Sequence, residues 1–323
     1  MSTESKQYRL LTRSDFDGLV CAILLEELGI LGSIQFVHPK DVQDGKIEVT
    51  GDDILTNLPY VRNCHLCFDH HSSEVIRTQN ASDPNHILMG GADSAARVLY
   101  NYYGGLATFP NISEQMMSEV DKADSAKFDR EDILRPEGWV LLSFLMDPRT
   151  GLGRFRDFRV SNYQLMMQLI DYCREHSIEE ILFLPDVRER VDLYREHADK
   201  FVAQIRRCTK VYGKVAVLDL RGEEVIYAGN RFMIYAVFPD CELSIHVLWG
   251  LKQQNTVLAA GKSILNRSSK IKLGDLLLEY GGGGHDAAGT CQVANESAET
   301  VLHKIVERLN ANATNPASEL LLV

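Results

Sequence analysis

Short apolar runs alternate with amphipathic stretches through the first half of the chain. Residues 8–12 have the apolar character of a strand, and a loop leads from them into residues 19–29, whose apolar residues and final glycine predict a helix. Residues 91–104 and 112–124 also have helical periodicity. Strands that alternate with helices predict a mostly parallel sheet with helices on both faces.

The second half of the chain has a different pattern. Residues 186–212 are strongly charged, with an apolar stripe of helical period, and predict a helix that connects two domains. Helices are also predicted at 272–282 and 298–311, and strands in the apolar runs at 214–220, 224–229, 233–238, 243–249, 256–261 and 287–294. The predicted fold is α/β. An N-terminal, mostly parallel sheet flanked by helices (1–185) is joined by the connecting helix to a smaller α+β domain (213–323).

Composition and charge limit the classes of function. The 323 residues are 45% hydrophobic and 24% charged, which is typical of a globular protein with room for two domains. The net charge of −11 argues against long duplex nucleic acid as a partner, although a local cationic cluster can still bind a small anion. No apolar run approaches the roughly 18 residues of a membrane span, so no membrane association is expected.

The cysteines and the N-terminus favour a cytoplasmic protein. The chain has seven cysteines, an odd number, and MSTESKQYRL lacks the apolar core of a signal peptide, so reduced thiols are expected. Cys64 and Cys67 form a CxxC without a second pair to complete a zinc site. The apolar residues around them favour a strand.

Acidic residues and histidines follow two of the predicted strands. Asp15 and Asp17, in SDFDG, lie at a strand-to-helix turn, where both can approach one cation or one can simply cap the helix. Asp69, His70 and His71 directly follow an apolar run, and a neutral imidazole is a common metal ligand. Because ligands of parallel sheets bind outside the carboxyl ends of the strands, both motifs favour a metal site there.

Two weaker motifs lie further along the chain. Asp121 and Asp124 are three residues apart, on one face of a helix end, either as metal ligands or as part of a solvated terminus. The run YGGGGHDAAG (280–289) has four glycines, which allow backbone N–H groups to converge on an anion, and His285 ends the glycine run. It differs from the GxGxxG of dinucleotide-binding folds, because no strand of a βαβ unit precedes it.

In this order, SDFDG, FDHH, KADSAKF and GGGGHDAAG resemble the DHH phosphoesterase superfamily with its C-terminal DHH-associated domain. The resemblance spans almost the whole chain, and FDHH with GGGGH is its most specific part. The family includes RecJ-type exonucleases, nanoRNases and exopolyphosphatase-related proteins. The resemblance implies hydrolysis of phosphodiester or phosphate ester bonds with Mn²⁺ or Mg²⁺. The implied substrate is a short single-stranded oligonucleotide, a linear dinucleotide or a nucleotide bisphosphate, bound in a cleft between the domains.

The resemblance also implies roles for individual residues. In the N-terminal domain, metal ligands are expected at Asp15, Asp17, His70 and Asp124, while His71 faces the phosphate or a water molecule and Asp69 supports the two imidazoles or ligates. In the C-terminal domain, substrate phosphate is expected at Gly281, Gly282, Gly283, Gly284, His285, Arg267 and Arg231.

The chain departs from the family pattern at one metal position. Members commonly have a histidine or aspartate two to four residues before the first aspartate of the motif, where this chain has Arg13 and Leu11. A bridging aspartate of the family matches Asn57, a poorer ligand. The number of ions is therefore open between one and two, with Arg13 as a fixed cation near the place of the second.

Two other functions remain open, as does the assembly. An exopolyphosphatase would need a longer basic groove than the sequence indicates. A non-catalytic nucleotide sensor would explain Arg13 and Asn57, but would not need the retained acids and histidines. The resemblance also raises a homodimer as a candidate assembly.

Overall fold

The computed structural model describes residues 6–71 and 83–313, which form two compact units. The first comprises the described residues up to Phe128 together with Pro136–Arg195, and the second comprises Asp129–Arg135 and the described residues from Glu196 onward. A parallel sheet with helices is followed by a second, mixed sheet, so the predicted fold class is confirmed. Among the described residues, no helix is both long and apolar enough to cross a bilayer.

The first unit is built on a five-stranded sheet of order β2-β1-β3-β4-β5, in which all neighbouring strands are parallel. Its elements are β1 (Tyr8–Thr12), α1 (Phe16–Glu27), β2 (Leu31–Phe36), α2 (Pro39–Gln43), β3 (Asp53–Thr56), β4 (Leu66–Asp69), β5 (His86–Leu88), α3 (Ala95–Tyr102), α4 (Glu114–Asp124), α6 (Gly138–Met146), α7 (Asn162–Glu175), α8 (Ile178–Phe183) and the start of α9 (Pro185–Cys208). The short helix α5 (Arg130–Leu134) belongs to the second unit.

Both faces of the first sheet are covered. Successive strand residues point to opposite faces, and Leu10 and Leu11 of β1 are both fully buried. Every residue of α1 from Phe16 to Leu25 is buried, which makes α1 a core helix, and it ends just before Gly29, whose φ of +68° suits a glycine. Parallel strands end at one edge, so the residues after β1, β3 and β4 lie side by side.

The second unit has a six-stranded sheet of order β10-β11-β9-β8-β7-β6, in which only β7 and β8 are parallel neighbours. Its elements are α5, the end of α9, β6 (Thr209–Tyr212), β7 (Val215–Asp219), α10 (Met233–Val237), β8 (Leu243–Trp249), β9 (Thr256–Lys262), α11 (Leu273–Leu278), β10 (Gly283–His285), β11 (Ala288–Val293) and α12 (Ala298–Ala313). Its core contains Ile245 and Leu258 from the sheet, Leu277 from α11 and Ile305 from α12.

Three stretches of the second half differ from the predictions. Residues 209–212 are a strand rather than the end of the connecting helix, because Gly213, with φ +59°, turns the chain so that Tyr212 pairs with Val215. Residues 233–238 are mostly helix α10 rather than a strand, and periodicity alone does not distinguish a short, wholly apolar buried run. Residues 224–229 form no regular element.

None of the seven cysteines, all of which lie in the described ranges, forms a disulfide bond. Cys67 lies in β4, and Cys64 lies just before that strand. Both are buried beside Leu11 and Leu55 in a core cluster, as expected of strand residues.

Candidate active site

Three side chains from distant parts of the chain meet at the carboxyl edge of the first sheet. Asp17 lies in the first turn of α1, His70 directly follows β4, and Asp124 is the last residue of α4. One ligand atom from each lies within 4.8 Å of the others, and this is the one such group found among the described residues. The sequence analysis named all three as metal ligands, and that role stays a prediction.

Asp17 is deeply buried and joins two helices. Its carboxylate accepts hydrogen bonds from the backbone N–H groups of Ala95 (3.1 Å) and Ala96 (2.8 Å) at the start of α3, and only 1% of the residue is exposed. Burial, with the neighbouring Asp124 carboxylate, raises the pKa of Asp17 well above its usual value. A bound cation would relieve this cost.

His70 is oriented by a backbone carbonyl. Its Nδ1 lies 3.1 Å from the Ala92 oxygen, which can only accept, so Nδ1 carries a proton and Nε2 faces Asp124 Oδ2 at 2.8 Å. Burial opposes protonation, but the hydrogen bond with Asp124 outweighs it and raises the pKa of His70 to about 9. For Asp124, burial is likewise outweighed by His70, which lowers its pKa. The two side chains therefore form an ion pair through His70 Nε2 and Asp124 Oδ2.

Asp69 organises the two histidines. Its Oδ1 accepts from the backbone N–H groups of His70 (2.7 Å) and His71 (3.1 Å), and it lies 2.7 Å from His71 Nδ1. This contact leaves Nε2 as the His71 ring atom that can reach a substrate. Asp69 Oδ2 is buried and has no hydrogen-bond partner among the described residues.

Asp15 is held by protein groups. Its Oδ1 accepts from Gly18 N–H (3.1 Å) and caps α1, and its Oδ2 forms an ion pair with Arg13 Nε at 3.1 Å. Burial raises the pKa of Asp15, and the Arg13 guanidinium opposes that rise. Asp15 therefore caps α1, which is one of the two roles that the sequence analysis left open for it. It lies outside the group of three, and its role as a metal ligand stays a prediction.

Asn57 directly follows β3 at the same edge. It has a φ of +54° and is 2% exposed, and its backbone N–H donates to the Phe68 carbonyl at 3.1 Å. Neither side-chain atom of the amide has a hydrogen-bond partner among the described residues. Leaving a buried amide unpaired costs about 1–3 kcal/mol, so this position is unusual for a purely structural residue.

Asp121 has a different environment from Asp124. Its carboxylate accepts from Ser94 Oγ (2.7 Å) and from Arg97 Nε (2.8 Å), and it thereby ties α4 to α3. Of the two acids proposed for this helix end, only Asp124 belongs to the group of three.

The three clustered side chains suit a hard divalent ion. Metal–oxygen bonds of about 2.1 Å require donor atoms about 3–4 Å apart, which the cluster approaches. Two carboxylates and an imidazole are donors that manganese accepts well. The residues present therefore fit such an ion, because two carboxylates and an imidazole converge in one largely buried place.

The residues predicted to bind phosphate in the C-terminal domain lie at several places in the second unit. Arg267 and His285 are exposed, and Arg231 stacks on Phe232 with its guanidinium carbon 4.2 Å from the ring centroid. Gly283 and Gly284, with His285, form the edge strand β10, paired to β11. Two of the four glycines therefore belong to a hairpin, and Gly281 and Gly282 precede it. The predicted binding of phosphate by this run stays a prediction.

Two contributors were absent from the sequence analysis. Arg149, in a 3₁₀ turn after α6, interacts electrostatically with Asp15 and Asp124. Ala92 orients His70 through its backbone oxygen. Neither left a signal in the sequence, since one is an arginine in an ordinary Pro-containing turn and the other acts through the main chain.

Comparisons with known proteins bear on the identity of the site. No family model matches the chain, and no curated protein does either. Among solved structures, the chain is similar to PggH, a pGpG-specific phosphodiesterase from Vibrio cholerae, with 57% identity over 95% of this chain and 100% of that one (TM-score 0.81).

Two more distant structures share the fold. An exopolyphosphatase-related protein from Bacteroides fragilis is 12% identical over 94% of this chain and 92% of its own (TM-score 0.50). RecJ from Thermus thermophilus, solved with Mn²⁺, is 13% identical over 96% of this chain and 52% of its own (TM-score 0.50). With the high identity to the phosphodiesterase, the chain belongs to the DHH superfamily of phosphoesterases.

Proposed function

We propose that this enzyme hydrolyses the phosphodiester bond of the linear dinucleotide pGpG. The reaction uses a divalent ion, preferably Mn²⁺, which Asp17, His70 and Asp124 hold. The observation that carries the proposal is the buried cluster of these three side chains at the carboxyl edge of the sheet. The choice of substrate is supported by the 57% identity to a pGpG-specific phosphodiesterase.

Each side chain of the cluster has a defined task. Asp17 and Asp124 supply carboxylate oxygens, and His70 supplies Nε2 once its proton has been displaced. A bound divalent ion supplies Lewis acidity and lowers the pKa of a water ligand. His71, held through Nδ1 by Asp69, presents Nε2 to a phosphoryl oxygen.

The reaction adds one water molecule to the dinucleotide. The water oxygen forms a bond to the internal phosphorus, and the bond from that phosphorus to the 3′ oxygen of the first nucleoside breaks. A proton from the water ends on the departing 3′ oxygen, so that pGpG gives two molecules of GMP.

The second unit contributes contacts to substrate phosphate in this proposal. Arg267 and His285 are exposed and can donate to phosphate oxygens, and Arg231 adds a further cation. The small residues Gly281–Gly284 allow a ligand to approach the backbone beside edge strand β10.

The wider setting of the enzyme is also part of the proposal. A net charge of −11 favours small free nucleotides over long duplex nucleic acid. Seven cysteines without a disulfide bond favour the reducing cytoplasm. A homodimer remains a prediction of the family resemblance, and light scattering of the purified protein measures it.

A substrate screen tests the proposal. Chelator-treated protein is supplied with Mn²⁺ and offered pGpG, pApA, adenosine 3′,5′-bisphosphate and polyphosphate. We expect GMP release from pGpG that requires Mn²⁺ and is lost in Asp17→Asn, whereas Asp52→Asn, an exposed acid of the same unit, keeps wild-type turnover. Preferred release of phosphate from polyphosphate, or full turnover in Asp17→Asn, would refute the proposal.

A further inference from the structure

The buried amide of Asn57 points to a ligand that the protein alone does not supply. Both amide atoms are without a partner among the described residues, and the residue is 2% exposed. Its φ of +54° is a conformation that side-chain-bearing residues rarely adopt. An unpaired buried group in a strained backbone conformation is characteristic of functional positions.

A second unpaired atom lies at the end of the neighbouring strand. Thr56 of β3 pairs with Phe68 of β4, so Asn57 and Asp69 are the next residues of two neighbouring parallel strands. Asp69 Oδ2 is also buried and without a partner among the described residues. Buried polar groups without a protein partner are the kind that an internal water molecule satisfies, and the Asn57 amide can both donate to it and accept from it.

The charges on the β1 side of this edge are already balanced. Asp15 is the acid there, and the Arg13 guanidinium lies 3.1 Å from it, while its other oxygen caps α1. Asn57 is neutral. The side chains grouped closely enough to hold a cation are therefore Asp17, His70 and Asp124, and Asp15 is not among them.

We infer that the site holds a single divalent ion, on Asp17, His70 and Asp124, and that Arg13 and Asn57 form its metal-free half. In this half the Arg13 guanidinium supplies the second positive charge, which faces the phosphoryl oxygens of the substrate, and the Asn57 amide binds a water molecule. The inference rests on the proposed function, because a phosphoryl group is the anion that Arg13 would meet. A guanidinium suits this task, since it stays charged and donates several hydrogen bonds in one plane.

Counting ions tests the inference without measuring turnover. Full-length, chelator-treated protein is titrated with Mn²⁺, and free Mn²⁺ is followed by electron paramagnetic resonance. We expect one tightly bound ion per wild-type chain with the spectrum of an isolated Mn²⁺, and none in Asp17→Asn. Two ions per chain, or a spectrum of two coupled ions, would overturn the inference.

Variants of the metal-free half sharpen the test. Arg13→Gln combined with Asn57→Asp removes the fixed cation and adds a carboxylate, so the count should rise from one ion to two. Arg13→Lys keeps the charge and should keep the count at one. A double variant that folds, by circular dichroism, and still binds one ion would show that these two residues do not exclude a second ion, and would overturn that part.

The inference and the proposed substrate fail in different ways. One bound ion per chain without turnover of pGpG would support the single-ion site and refute pGpG as the substrate. Two bound ions per chain with rapid turnover of pGpG would support the substrate and refute the single-ion site.

Discussion

His70 shows at the residue scale how burial prepares a side chain for its role. The Ala92 carbonyl fixes the proton on Nδ1, so Nε2 is turned toward Asp124 without a further conformational choice. Ligand orientation of this kind is worth about 10–100-fold in metal affinity in other proteins. Residue identity alone marked His70 as a candidate, but its orientation depends on a main-chain atom of a distant loop.

The two acids at the end of α4 give a matched pair of variants. Asp124→Asn should weaken Mn²⁺ binding by about 100-fold or more, because an amide replaces a charged donor of the cluster. Asp121→Asn should keep the wild-type affinity, since its carboxylate faces Arg97 and Ser94. Titration calorimetry with Mn²⁺ measures both, and equal losses in the two variants would contradict the assignment of Asp124.

His246 in β8 makes stability depend on pH. Burial, helped by Arg231, lowers the pKa of His246 to about 4, whereas an unfolded histidine titrates near about 6.5. Between these values the unfolded chain binds more protons, so stability is complete above about pH 6.5 and falls as the pH drops toward 4. We therefore expect the free energy of unfolding, measured with urea, to fall less between pH 7 and pH 5 in His246→Gln than in the wild type.

A second histidine provides the control for that measurement. His303 is exposed on α12. In His303→Gln the free energy of unfolding should fall between pH 7 and pH 5 by as much as in the wild type. If the free energy of unfolding of His246→Gln fell by as much as that of the wild type, another group would be responsible for the loss of stability at low pH.

At the scale of elements, local chemistry often decided the structure. The helix α1 ends before Gly29, and β1 leads directly into the turn that carries Asp15, because caps and turns depend on nearby residues. The apolar segment at 233–238 was assigned wrongly, because a short, wholly apolar run has no periodicity that separates a buried helix from a buried strand. The last two glycines of the run, Gly283 and Gly284, pair with β11, which the local sequence did not predict.

The hairpin of β10 and β11 can be tested with two neighbouring glycines. A Cβ on Gly284 would lie 2.3 Å from the Ala288 carbonyl oxygen, whereas a Cβ on Gly283 would meet nothing within 4 Å. Gly284→Ala should therefore lower the free energy of unfolding by about 1–3 kcal/mol. Gly283→Ala should change it by no more than about 0.5 kcal/mol. Urea denaturation compares them, and similar effects of both substitutions would argue against this close packing.

At the scale of the whole molecule, the ion connects parts of the chain that the fold brings together. Its proposed ligands come from α1, the end of β4 and the end of α4, so binding favours the folded state of the first unit. Free Mn²⁺ at a concentration one hundred times its Kd should raise the free energy of unfolding by about 2.7 kcal/mol. This corresponds to a rise in Tm of about 5–10 °C.

Scanning fluorimetry measures this rise, and EDTA should reverse it. Asp17→Asn should show no rise at the same Mn²⁺ concentration, because the cluster has then lost a charged donor. A rise of equal size in the variant would place the stabilising ion elsewhere.

The sequence by itself determined which residue types stand at the ends of β1 and β4 and at the end of α4, because strands, caps and helix termini follow from local patterns. The fold class could be predicted for the same reason, and the family from the resemblance of four motifs in their order along the chain. The resemblance named Asp124 as a partner of Asp17 and His70, but only the tertiary structure brought their donor atoms within 4.8 Å of one another and paired Arg13 with Asp15. The tertiary structure also decided that the amide of Asn57 is buried without a partner among the described residues. These features depend on distances between side chains that lie far apart along the chain, and local sequence patterns contain no such distances.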